Sequence, residues 1–184
     1  MKRTSLFLLA LLVFAWPVAA QTAPAAPTAD PLSTTMKQLF EGVARNVAES
    51  AEKTGEDIYP FKPTPEVRSF GEMIGHVADA MFSYCSRSVE KANPMPDVEK
   101  TKKTKAELVA ALKEARGYCD GVYGSMTDAE ALKTIKVGQN EMVRSRLLIA
   151  NISHVNEHYG NLVTYMRLKG LVPPSTERAQ QMRR

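Results

Sequence analysis

Prolines, glycines and two capping boxes divide this chain into four long segments, each with apolar residues at helical spacing. The first segment runs from about Leu32 to Thr54, with Leu32, Met36, Leu39, Val43 and Val47 on one face, and Gly55 ends it. The second opens at Ser69-Phe70-Gly71-Glu72, where hydroxyl and carboxylate can satisfy orphan amides reciprocally. It stops before Asn93-Pro94, because proline cannot continue a helix and restricts its predecessor. The third opens at a second capping box, Thr104-Lys105-Ala106-Glu107, and places Leu108, Leu112, Ala115, Cys119 and Val122 on its inner face. The fourth extends from about Asn140 to Lys169, with Gly170 as C-cap and Pro173-Pro174 beyond it. Thr127-Asp128-Ala129-Glu130 reads as a short helical turn, and no strand pattern or internal repeat is evident. Four amphipathic helices without a sheet predict an all-α fold, a four-helix bundle over residues 32–174.

The N-terminus reads as a signal peptide over residues 1–20. Lys2 and Arg3 form a basic start, Leu6 to Ala15 a short apolar core, and Val18-Ala19-Ala20 a small-residue cleavage site before Gln21. That run is too short for a membrane span, and no later segment is apolar enough for one. Residues 21–31 are rich in Ala, Pro and Thr and read as a disordered tether; residues 175–184 read as a flexible polar tail. The expected location is therefore exported, either periplasmic or secreted. The formal charge of +4 falls to +2 once Lys2 and Arg3 leave, so the basic balance says little about partners. The run from Lys100 to Lys105 lacks interleaved aromatics and is expected in a solvated loop, which argues against nucleic acid. Cys85 and Cys119 have no Cys-x-x-Cys spacing. In an oxidising compartment a disulfide between them is expected, closing a loop of about 35 residues; packed free thiols are the alternative.

The chain has three histidines. His154 and His158 are four apart, hence on one helix face and about 40° apart in rotation. His76 lies in the second segment. Two imidazoles from one helix and a third from a neighbour make a three-nitrogen set with an open coordination position. Both helices carry a polar stripe beside their apolar face: Glu72, His76, Asp79 and Ser83 on one, and Asn151, His154, His158, Asn161 and Tyr165 on the other. Packed together, the stripes would form a polar cleft. Asp79 and Glu157 lie one turn from His76 and His154, which makes them general-base candidates. The site is not that of a zincin, because Val155 follows His154 where His-Glu-x-x-His needs its Glu.

The stretch from Phe61-Lys62-Pro63-Thr64-Pro65-Glu66 through Ser69-Phe70-Gly71-Glu72 to Gly75-His76-Val77 resembles the first motif of the DinB-like family. So does His154-Val155-Asn156-Glu157-His158-Tyr159-Gly160, followed by Tyr165-Met166-Arg167 and Pro173-Pro174. The resemblance covers residues 35–174. It implies a four-helix bundle binding a divalent ion through His76, His154 and His158. The family includes transferases and isomerases that use small cytoplasmic thiols, whereas the signal here predicts export.

Three functions follow from these features: a metal-dependent hydrolase or transferase, a non-catalytic metal- or ligand-binding bundle, and a structural or interaction protein with an unused site. Three imidazoles suit Zn or Ni foremost, and also Fe or Cu. The expected partners are a small-molecule ligand and a second copy of the chain in a homodimer. Mass spectrometry of the exported protein should give a chain beginning at Gln21; a chain retaining Met1 would contradict the signal.

Overall fold

A computed structural model describes residues 29–184. The expected signal peptide and residues 21–28 of the expected tether lie outside the described residues. Four long helices form the bundle: α1 (Pro31–Lys53), α2 (Phe70–Ser88), α4 (Lys105–Gly124) and α6 (Arg144–Leu168). Three short helices accompany them: α3 (Val98–Thr101), α5 (Asp128–Ala131) and α7 (Pro174–Gln181). In cross-section α2 packs on α6 and α4, and α1 packs on the same two from the other side. The all-α bundle is thus the observed architecture.

Local chemistry sets the helix boundaries. Both capping boxes form: Ser69 and Glu72 close the start of α2, and Thr104 and Glu107 the start of α4. The first amides of α2 are also engaged from outside, because Phe61 O accepts from Phe70 N and Tyr59 O from Gly71 N. Asp128 does the same for α1, accepting from Leu32 N and Ser33 N, which places a carboxylate at the positive helix end. At the other end of α1, Lys105 Nζ donates to Glu52 O and Thr54 O.

Several expectations are corrected. Leu39 is 54% exposed; the buried stripe of α1 is Met36, Phe40, Ala44, Val47 and Ala51. That stripe follows 3.6-residue spacing around Phe40, which stacks on Tyr123 at 4.4 Å. Helix α2 ends at Ser88, earlier than Asn93-Pro94 suggests. Residues Asn140–Val143 are not helical: they pair antiparallel with Thr134–Val137 as strands β2 and β1. The two-residue turn between them has Gly138 at φ 62°, a conformation natural for glycine and suited to hairpins. The polar C-terminal residues form α7, pinned to α1 by ion pairs from Lys53 to Glu177 and from Glu49 to Arg178. Tyr159 OH further donates to Ser175 Oγ at 2.6 Å. Proline at the first turn of α7 starts a helix there instead of ending the fold.

Beneath the outer turns lies a continuous apolar core. The expected inner face of α4 is fully buried, and so are Leu148, Val155, Leu162 and Met166 of α6. Cys85 and Cys119 are joined by a disulfide that ties α2 to α4, with Cα atoms 5.5 Å apart. Asn151 reaches it from α6, its amide Nδ2 3.5 Å from Cys85 Sγ and 3.3 Å from Tyr123 Oη. Tyr123 OH in turn donates to Leu148 O at 2.7 Å. Asn151, expected in the polar cleft, is thus a fully buried core residue.

The bridge closes a loop of 34 residues. Loss of chain entropy in the unfolded state makes it worth about 4 kcal/mol. Thiol counting in denaturant without reductant should find no free thiol, and reduction should lower the melting temperature. Two free thiols before reduction would contradict the bridge.

Candidate metal centre

His76 projects from the middle of α2 and His154 and His158 from α6, where these two helices pack. The helical register supplies the pair, and the packing supplies the third ring. One nitrogen from each ring falls in a group whose members lie within 4.8 Å of one another. His76 Nε2 and His154 Nε2 are 3.1 Å apart. The rings meet edge to face, with centroids 4.3 Å apart for His154 and His158 and 4.8 Å for His76 and His158. Nitrogens around a tetrahedral zinc ion stand about 3.3 Å apart, a separation that the His76–His154 pair matches.

The partners of the outer nitrogens point the same way. His158 Nδ1 lies 3.1 Å from Asn161 Oδ1, one turn along α6. That contact assigns the proton to Nδ1 and leaves Nε2 as a lone pair facing the cluster. His158 Nε2 is buried and has no hydrogen-bond partner among the described residues. An orphaned buried acceptor is costly unless something engages it, and an ion between the rings would do so. His76 Nδ1 lies 3.4 Å from Glu99 Oε2. The residues present therefore fit a divalent ion held by three Nε2 atoms.

Electrostatics favour the neutral form of His76 and His154, as ligands must be neutral. Burial pushes His154 down to about 4, and the nearby His158 and His76 add to the effect. Burial also lowers His76, aided by Arg68 and His158 and opposed by Glu99.

Neither general-base candidate faces the cluster. Asp79 turns to α3, where its two oxygens accept from Val98 N at 2.7 Å and Glu99 N at 2.9 Å. Glu157 lies on the exposed side of α6. Of the remaining stripe, Glu72 closes its own helix and pairs with Lys62 at 3.0 Å. Tyr165 OH donates to Arg68 O at 2.9 Å, which fixes the segment leading into α2. The carboxylate that does reach the histidines is Glu99, whose Oε1 also accepts from Arg68 Nε at 2.9 Å. Sequence reasoning missed it because α3 lies in a stretch read as a loop. The available signal was Val98, a lone apolar residue among polar ones, and it is fully buried.

Beside the cluster opens a cleft of about 620 Å³, lined by Lys62, Arg68, Glu99, His158, Asn161 and Tyr165 among others. It is large enough for a small molecule and borders one of the three imidazoles.

The fold has counterparts. Residues 39–162 match the family model of the DinB superfamily. The chain is 28% identical over 131 residues to the uncharacterised protein YjoA of Bacillus subtilis strain 168, covering 68% of this chain and 84% of that one. Its fold is similar to a solved DinB-like protein from Bacillus cereus ATCC 10987, with TM-score 0.68 at 15% identity over 77% of this chain and 95% of that one. It is also similar to the solved structure of Bacillus subtilis YjoA, with TM-score 0.59 at 19% identity over 74% of this chain and 92% of that one. A structure of a conserved Enterococcus faecalis protein matches with TM-score 0.59 at 14% identity over 74% and 96%. With two thirds of its length matched by the family model, and with a bundle of the same fold, the chain belongs to the DinB superfamily.

Proposed function

We propose that this chain is an exported metal-dependent enzyme, a hydrolase or transferase acting on a small molecule bound beside His76, His154 and His158. The observation that carries the reading is His158. Its buried Nε2 lacks a partner among the described residues, and its ring also lines the 620 Å³ cleft. An ion held there would share the His158 ring with the cleft, an arrangement that suits chemistry better than storage. Zn²⁺ or Ni²⁺ fits three neutral imidazoles best, and Fe or Cu is also compatible. When bound, such an ion supplies Lewis acidity toward a carbonyl, phosphoryl or water oxygen. The chain's own residues bind and orient: Asn161 holds the His158 tautomer, Tyr165 fixes the backbone at Arg68, and Lys62 and Arg68 offer cationic groups at the cleft wall. The disulfide supports an oxidising compartment, either periplasmic or extracellular.

A second reading is a non-catalytic ligand-binding bundle. It is favoured by the engagement of Glu72 and Glu99, two cleft carboxylates already held by Lys62 and Arg68. Turnover of a substrate library by metal-loaded protein separates the two.

Calorimetric titration of chelator-treated protein with Zn²⁺ and Ni²⁺ should give one site per chain. Alanine at His76, His154 or His158 should weaken it by roughly 100-fold or more, beyond the cost of outer-shell changes. Asn156→Ala, exposed between the paired histidines, should leave it unchanged. Equal affinity in wild type and His76→Ala would remove His76 from the site.

The metal-free protein should show a signed pH dependence. His76 and His154 titrate below their ordinary value of 6.5. The unfolded chain therefore takes up protons that the folded chain refuses. Stability should be level above about pH 6.5 and fall toward about 4, the folded value of His154. Denaturant melts across this range check the slope, which His154→Ala should reduce.

A further inference from the structure

We propose that α3 is a positioning element for the metal site, with Glu99 as the residue that orients His76; this rests on the metal reading above. Ligand imidazoles generally donate their second N–H to a carboxylate or carbonyl, which fixes tautomer and ring direction. Glu99 Oε2 stands 3.4 Å from His76 Nδ1, on the side of the ring away from the other two histidines' shared cluster at Nε2. The other oxygen, Oε1, accepts from Arg68 Nε at 2.9 Å. With Oε1 bonded to Arg68 and Oε2 turned to the His76 ring, Glu99 is placed to orient that ring.

An incidental surface contact would not need the support that surrounds this one. Glu99 is only 27% exposed at its side chain, and its backbone is fixed from three directions. Asp79, one turn after His76 on α2, accepts from Glu99 N and Val98 N and so caps the start of α3. Val98 is fully buried in the core and anchors the turn. Gly75, next to His76, permits the approach: a Cβ there would stand 2.8 Å from Glu99 Cα and 3.2 Å from Glu99 N. The nearest atoms are backbone, so no side-chain rotation relieves that clash. The chain also enters α3 through Asp97 at φ 61°, a left-handed conformation that costs a non-glycine residue energy. Residues 75, 76 and 79 of α2 thus present, in successive positions, the gap that admits Glu99, the ring that Glu99 orients and the carboxylate that holds Glu99's helix.

The role is tested in the full-length folded chain by zinc calorimetry together with ¹⁵N spectra of the histidine rings at pH 8. Glu99→Ala should lower zinc affinity roughly 10- to 100-fold, the range for outer-shell partners of ligand imidazoles. Glu99→Gln keeps an acceptor oxygen and should recover most of it. In wild type the His76 ring should carry its proton at Nδ1, and Glu99→Ala should mix the tautomers even without metal. Asp79→Ala should reproduce the Glu99→Ala loss, and the double variant should lose little more, since both act through one ring. Should Glu99→Ala fail to fold, the same spectra and titration on Glu99→Gln and Asp79→Ala carry the test. Unchanged zinc affinity and an unchanged His76 tautomer in Glu99→Ala would overturn the positioning role while leaving the metal site standing. Absence of zinc binding by wild type would overturn the metal reading, and this one with it.

Discussion

The packing of α2 against α6 is the contact on which everything else in this molecule depends. It buries Val77, Met81, Val155 and Leu162 in one core and, along the same seam, sets His76 against His154 and His158. A helix face alone can supply two ligands four residues apart, and only a neighbouring helix at fixed register supplies the third. Below the histidines the seam is locked by covalent and polar means. The Cys85–Cys119 bridge ties α2 to α4, and Asn151 of α6 places its amide against the bridge and Tyr123. The bundle therefore holds the register of α2 and α6 from the core side, leaving the outer side free to open into a cleft.

His76 and His154, collected beside His158 at one seam, work against folding in acid. Both are partly desolvated, and the neighbouring rings disfavour a charge on either. An apolar set at these positions would be cheaper for stability, which is why the cluster is best understood through its ligand and not through packing. The outer nitrogens of His158 and His76 face Asn161 and Glu99, which leaves the other nitrogen of each ring to turn inward. Three rings so arranged could hold one ion between them.

Much of this was legible in the chain. Periodicity and the two capping boxes located α2 and α4 to within a few residues, and the three histidines were found by their spacing. The disulfide was foreseen from compartment and from the buried faces that carry Cys85 and Cys119. What escaped was held by short or tertiary features. The β1–β2 hairpin has strands of only four residues and one buried side chain, Ile135, so its alternation is too brief to outweigh the helix beside it. Helix α7 is polar throughout and owes its place to ion pairs with α1, which no local pattern announces. Asp79 looked like a base because it follows His76 by one turn, yet its carboxylate is consumed in capping α3. Glu99 was invisible for the converse reason: it is far from any histidine in sequence, and the absent side chain at Gly75 is what brings it near.

The most direct measurement is anomalous diffraction at the metal edge, on crystals of protein prepared without chelator or nickel resin. The account expects a single strong peak bonded to Nε2 of His76, His154 and His158, with Glu99 on the far nitrogen of His76. A metal-free cluster after soaking with zinc, or a peak held by other residues, would contradict it.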